Sequence, residues 1–234
     1  MTIECVWEHN GGDTLLHASN VIGAFTRGSS KEEALGKMPR EIGSYFRWRG
    51  KEPPSELDII ITEEKASDLN IADADSDVIF TSERKGLTLE EYEYLKALTL
   101  KSAADFHRLY SAFPDKDRTS LPPRKTFYGD APRTAREMYL HTKNVNAYYF
   151  TEICVDADNE GSIEDCRARG FSLLETQPDF LAKPAAVGSY GEEWSLRKLF
   201  RRFIWHDRIH AKAMHRMGKA VFGEDAIPDV FYFD

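Results

Sequence analysis

Residues 199–217 constrain the fold more than any other part of the chain. Leu199, Phe203, His206, His210, Ala213 and Met217 recur at steps of four, three, four, three and four. That is the heptad spacing of a helix with one buried seam. Two seam positions are histidines four residues apart, which stacks their side chains on one face about 6 Å apart at Cβ. Such a helix needs others to cover it, and the second half of the sequence supplies them. Thr88 with Glu91 is a capping box for a helix with the seam Leu95, Leu98, Phe106, Leu109 and Phe113, ended by Pro114. Thr134 with Glu137 opens the next, where Met138, His141, Val145 and Tyr148 fall three, four and three apart. His141 is therefore predicted to face the same interior. Ser162 starts a shorter helix through Ile163 and Cys166, with Pro178 and Pro184 bracketing its end. Ser189 with Glu192 is the predicted cap of the fourth, with a body from about Trp194 to Met217 and a stop at Gly218 or Gly223. Four helices with moderate connections predict a bundle from about residue 88 onward.

The first part reads differently. Residues 3–7 and 14–17 are strand-like and flank Asn10-Gly11-Gly12-Asp13, turn chemistry for a hairpin. Residues 21–26 predict a third extended piece. Ser30 and Glu33 cap a helix with Ala34, Met38, Ile42 and Tyr45 on one face, stopping before Gly50 and Pro53-Pro54. Residues 57–62, with Ile59-Ile60-Ile61, predict a buried strand, and residues 78–81 another. The acidic stretch 63–77 reads as a loop leading into a linker. The expected organisation is an α+β unit over 1–86 followed by an all-α bundle over 87–234.

Three neutral imidazoles from two facing helices, inside an apolar seam, each require a hydrogen-bond partner or a shared metal ion. His141, His206 and His210 are thus candidate ligands for one divalent metal. His206-Asp207-Arg208-Ile209-His210 differs from a zinc-protease HExxH helix, which needs Glu beside the first His. Asp207 or Tyr148 is a candidate to orient the ligands. His107 and His215 fall off the seams, and His9 and His17 belong to the other unit. The alternating acids from Asp73 lack the sixth-position glycine of a calcium loop, those from Asp156 have it in Gly161, and both have an arginine, Arg84 and Arg167, where the twelfth-position glutamate belongs.

The net charge of −8 argues against a general nucleic-acid binder. Arg197, Lys198, Arg201, Arg202, Arg208 and Lys212 form a local basic cluster off the seam. A solvated outer face is the expectation there, with an anionic substrate as the sharper reading. Cys5, Cys154 and Cys166 form no paired framework and no CxxC, so they read as apolar fillers or idle thiols of a reducing compartment. No apolar run reaches membrane-span length and the first residues are no secretory signal, so a cytoplasmic location is expected.

From residue 88 to 223 the chain resembles the DinB-like (DinB/YfiT) superfamily. Thr134-Ala135-Arg136-Glu137-Met138-Tyr139-Leu140-His141 is similar to its second helix, and Glu193-Trp194-Ser195-Leu196-Arg197-Lys198-Leu199 running on to His206 and His210 is similar to its last ligand-bearing helix. The resemblance implies a four-helix bundle with a three-His site for zinc or nickel, often in a homodimer. Relatives in that superfamily include thiol-dependent S-transferases and a mycothiol-dependent isomerase, which implies a small-molecule substrate and a low-molecular-weight thiol here. The Trp-Ser-Leu-Arg phrase, however, precedes the HxxxH helix rather than the first ligand, which leaves the substrate class open. Residues 1–62 are similar to HicB-like domains, through Val21-Ile22-Gly23-Ala24-Phe25-Thr26-Arg27-Gly28 followed by Ser30-Lys31-Glu32-Glu33-Ala34-Leu35. That resemblance implies a partial RNase-H-like α/β fold. The leading expectation is a metal-binding S-transferase or hydrolase with no assigned catalytic residue. The alternative is an interaction module, in which the HicB-like part binds a partner and the bundle dimerises.

Overall fold

Asn10 turns the chain back on itself: its side-chain oxygen accepts the amides of Gly12 at 3.0 Å and Asp13 at 2.8 Å. β1 (Thr2–His9) and β2 (Thr14–Ala18) pair antiparallel across this turn, with His9 opposite Thr14. The computed structural model describes all of residues 1–234. The third strand, β3 (Phe25–Gly28), starts later than the sequence predicts, because residues 21–24 form a tight turn. Gly23 sits there at φ +88°, and a Cβ on it would lie 2.4 Å from the Ile204 side chain. Only glycine meets both demands. α1 (Lys31–Trp48) follows, with Ser30 accepting the amide of Glu33 at its N-terminus. It carries the chain across to β4 (Asp58–Ala66), which pairs parallel with β1.

The sheet order is β3-β2-β1-β4, so β4 is an edge. This corrects the prediction of a buried Ile59-Ile60-Ile61 strand: Ile60 and Ile61 are exposed. Consecutive strand residues point to opposite faces, so β4 is open on both at this level, and a run of apolar residues does not distinguish such an edge from a covered strand. β4 also absorbs residues 63–66 of the expected acidic loop. Residues 78–81 form no strand: Val78, Ile79 and Phe80 are buried as irregular chain leading into a 3-10 turn, Thr81–Arg84.

The helical part holds α2 (Leu89–Ser111), α3 (Ala135–Thr151), α4 (Ile163–Glu175) and α5 (Leu196–Phe222). Thr88, Thr134 and Ser162 each form a capping box, with the acidic residue three positions on reaching back to the cap amide. α5 is capped by Ser195, not Ser189. A two-residue pairing of Ala186–Val187 with Glu193–Trp194 occupies the intervening chain, so the Ser189–Glu192 spacing serves a turn instead. Gly170 lets α4 approach α3, since a Cβ there would strike Phe150 at 2.1 Å.

The chain is thus mixed α+β, a four-stranded sheet with five α-helices. One cluster of 27 buried apolar residues draws on both parts: Ile3, Met38 and Trp48 pack with Phe106, Ile204 and Met217, and Phe231 closes it. A second cluster of 14 centres on Phe150, Phe171, Leu199 and Phe203. No helix is long and apolar enough to cross a membrane.

Candidate metal centre

α5 presents His206 and His210 one turn apart, and α3 brings His141 against them. The Nε2 of His206 lies 3.3 Å from Nε2 of His141 and 3.2 Å from Nε2 of His210. Two nitrogen ligands about 2.0–2.1 Å from a tetrahedral ion stand about 3.3 Å apart, the same spacing. The rings meet at angles of 43° to 74° with centroids 4.5–5.1 Å apart, so they point their tips inward rather than stacking.

No carboxylate joins this group. Burial holds all three imidazoles below the ordinary histidine range. His210 is pulled to about 3 by burial and by repulsion from His141; His206 is also held well below the ordinary range, by burial first and then by repulsion from His210 and His141. Each ring is therefore neutral near pH 7 and offers a lone pair. His206 is buried, and its Nδ1 has no hydrogen-bond partner. Three convergent neutral donors fit a borderline metal such as zinc or nickel better than a hard oxygen-seeking cation.

His141 departs from expectation in one respect. The fully buried face of α3 is Thr142, Asn146 and Tyr149, so the predicted seam Met138–His141–Val145–Tyr148 runs along its margin beyond Met138. His141 is half-buried and lies at the mouth of the cluster. The ring of Tyr128 stacks on it, centroids 5.4 Å apart and 27° from parallel. Tyr128 comes from a small hairpin, Lys125–Thr126 with Gly129–Asp130, in the strap between α2 and α3. Sequence reasoning passed over this residue; the Phe127-Tyr128-Gly129-Asp130 turn was the available signal.

Neither predicted orienting residue touches a ligand. Asp207 forms a fully buried ion pair with Arg167 of α4, Oδ2 to Nη1 at 2.6 Å. Tyr148 packs on Trp194, and it is Tyr149 whose ring sits edge-on to His206 at 6.0 Å. His107 bonds Glu164 at 2.6 Å. His17 is buried beside Glu8, whose Oε2 also accepts Ser76 Oγ at 2.7 Å. His215, Asp229 and Asp234 form a second close group. There Asp229 already accepts the amides of Phe233 and Asp234, and Asp234 binds Lys219.

The basic cluster corrects the expectation of a solvated face. Lys198, Arg201 and Arg208 are fully buried. Lys198 meets Glu192 at 2.8 Å, Arg201 Nη2 donates to Glu83 at 3.1 Å, and Arg208 Nη2 donates to Glu41 at 2.9 Å. Long cationic side chains leave a helix surface this way when neighbouring elements bring carboxylates over them. Cys5 and Cys166 are buried and Cys154 is exposed, all as free thiols.

No protein-family model matches the chain, and no curated protein or solved structure is significantly similar to it.

Proposed function

We propose that His141, His206 and His210 hold one divalent metal ion, zinc or nickel, in a protein that acts on a small molecule as a thiol-dependent S-transferase or a metal-assisted hydrolase. The observation that carries this reading is the convergence of three neutral Nε2 atoms at 3.2 and 3.3 Å with no other acid or base among them. A three-ligand ion has a position open for a thiol or water and lowers the pKa of what binds there. The chain's own contribution is rigidity on one side and access on the other. The Arg167–Asp207 pair ties α5 to α4 directly beneath the ligands. The half-buried His141 and the exposed Tyr128 leave the opposite side reachable from solvent. The resemblance to DinB-like bundles supports the same ligand set and adds a homodimer and a thiol cofactor to the proposal; the resemblance to HicB-like domains supports the α+β half.

Elemental analysis tests the reading. Protein expressed with supplemented zinc or nickel is expected to carry close to one equivalent, and His206→Ala and His210→Ala to carry none. A metal-free wild type, or equal loading in the variants, overturns it. A second reading, a partner-binding module, draws on β4, an edge strand with Ile60 and Ile61 exposed. A stoichiometric partner recovered by a protein that never loads metal would favour that one.

A further inference from the structure

A cavity of about 660 Å³ opens between α1, β3 and the C-terminal half of α5. Lys212 and Arg216 line it from a different face of α5 than the one that carries His206 and His210. Its size suits a small organic molecule.

The charges around it do not balance. Lys37 is taken by Glu33, Lys212 by Glu41, and Asp234 by Lys219. Glu41 is further engaged by Arg208. Arg27, Arg40 and Arg216 are left with backbone partners alone: the carbonyls of Ala72, of Phe233 at 3.0 Å, and of Lys212 at 3.3 Å. Asp13 is the one cavity carboxylate without an ion-pair partner. These cations also crowd one another. Arg27 is held below the usual arginine range by burial, then by repulsion from Arg124, which is itself paired with Asp73; Asp13 offsets part of this, and Arg216 adds to it. Guanidinium groups gather against their own repulsion, in a chain of net charge −8, where an anion offsets it. Phe25, Ile71, Ile209 and Phe233 give the wall an apolar part, beside the polar Thr14, Thr26, Ser44 and His215.

We propose that this cavity binds a phosphate-bearing small molecule, its phosphate held by Arg27 and Arg216 with Arg40 at the rim, and its organic part lying against Phe25 and Ile209. A phosphate dianion matches more than one uncompensated cation, and guanidinium forks fit its oxygens in pairs. The cavity exceeds what inorganic phosphate fills, which favours an ester. The assignment is independent of the metal centre.

The test is calorimetric titration of the full-length protein with phenyl phosphate, inorganic phosphate and benzoate, ionic strength held constant with sodium chloride. Phenyl phosphate is expected to bind saturably at one site, more tightly than inorganic phosphate and about tenfold or more tighter than benzoate. Arg216 is exposed, so Arg216→Ala leaves the fold intact and is expected to weaken phenyl phosphate about tenfold. Arg27→Gln, checked for folding by circular dichroism, is expected to do the same. His206→Ala is expected to bind phenyl phosphate as the wild type does, which separates failure here from failure of the metal reading. No saturation by about 10 mM, unchanged binding in Arg216→Ala, or loss in His206→Ala alone would each overturn the proposal.

Discussion

On one flank of α5, Lys198, Arg201 and Arg208 each meet a carboxylate brought from another part of the chain; on the other, the polar contacts of His206 and His210 are with each other and with His141. Both flanks are polar, the first fully buried and the second half-buried at His210 and His141, and they are satisfied in opposite ways. Each cation of the charged flank has its counter-ion within the chain, Glu41 from α1, Glu83 from the turn before α2 and Glu192 from the turn before α5, although Nη1 of Arg201 and Nη1 of Arg208 have no hydrogen-bond partner. The histidine flank has no such complement, since three lone-pair donors share one centre without an acid or a proton for each. A buried charge that has its counter-ion holds elements together. A buried donor set without one marks a place for something from outside. The same helix thus separates scaffold from site by the partners its polar groups lack.

The sharpest way to break this comparison is to unpair a charge beneath the ligands. Asp207→Ala leaves Arg167 fully buried with no counter-ion and is expected to destabilise the fold by about 3–5 kcal/mol in urea denaturation. His206→Ala, measured on metal-free protein, is expected to be far milder. Equal losses in the two variants would erase the distinction between the flanks.

Chelation tests the proposed ion from the other side. A ligand that binds only the folded state at about 100 times its Kd stabilises by about 2.7 kcal/mol. Chelation is expected to lower the melting temperature of wild-type protein accordingly and to leave His210→Ala unchanged. A chelator response that persists in His210→Ala would move the ion elsewhere.

The smallest effect is a pH dependence at Glu41. Burial pushes its carboxyl up, but Arg208 and Lys212 together outweigh that and hold it below the usual carboxylate range. Its folded pKa therefore lies below its unfolded one. The stabilisation is complete above the ordinary carboxylate range and is lost as pH falls through the folded value. The stability gap between wild type and Glu41→Gln is expected to narrow on acidification below about pH 4. A gap independent of pH would show that Glu41 acts by packing alone.

Much of this was legible in the sequence because its signals are local. The Asn10–Asp13 turn and the caps at Ser30, Thr88, Thr134 and Ser162 each span a few residues, and each appears where the spacing predicts; on α5 the predicted seam is buried at Leu199, Phe203, His206 and Met217 but only half-buried at His210 and Ala213, and Phe200, Ile204 and Ala211 are buried off it. The HxxxH pair reads directly from one helical turn; His141 does lie near that pair, but at the margin of α3's buried face of Thr142, Asn146 and Tyr149 rather than on the interior seam that the spacing predicts. What escaped depends on distant partners. Arg201 and Arg208 look like a solvated stripe because Glu83 and Glu41 stand 118 and 167 positions away. The exposure of Ile60 and Ile61 depends on β4 lying at an edge, which composition does not encode. Tyr128 reaches His141 only through the folding of the strap, so no helical periodicity points to it.

α5 is a single helix of 27 residues, about 40 Å long. Its stiffness fixes the distance between what it carries at different levels. From the midpoint of the two histidines to Arg216 the rise is about 12 Å. The backbone is therefore a ruler: any compound that touched both levels at once would have to span that interval along the axis, so its length would be set before its chemistry.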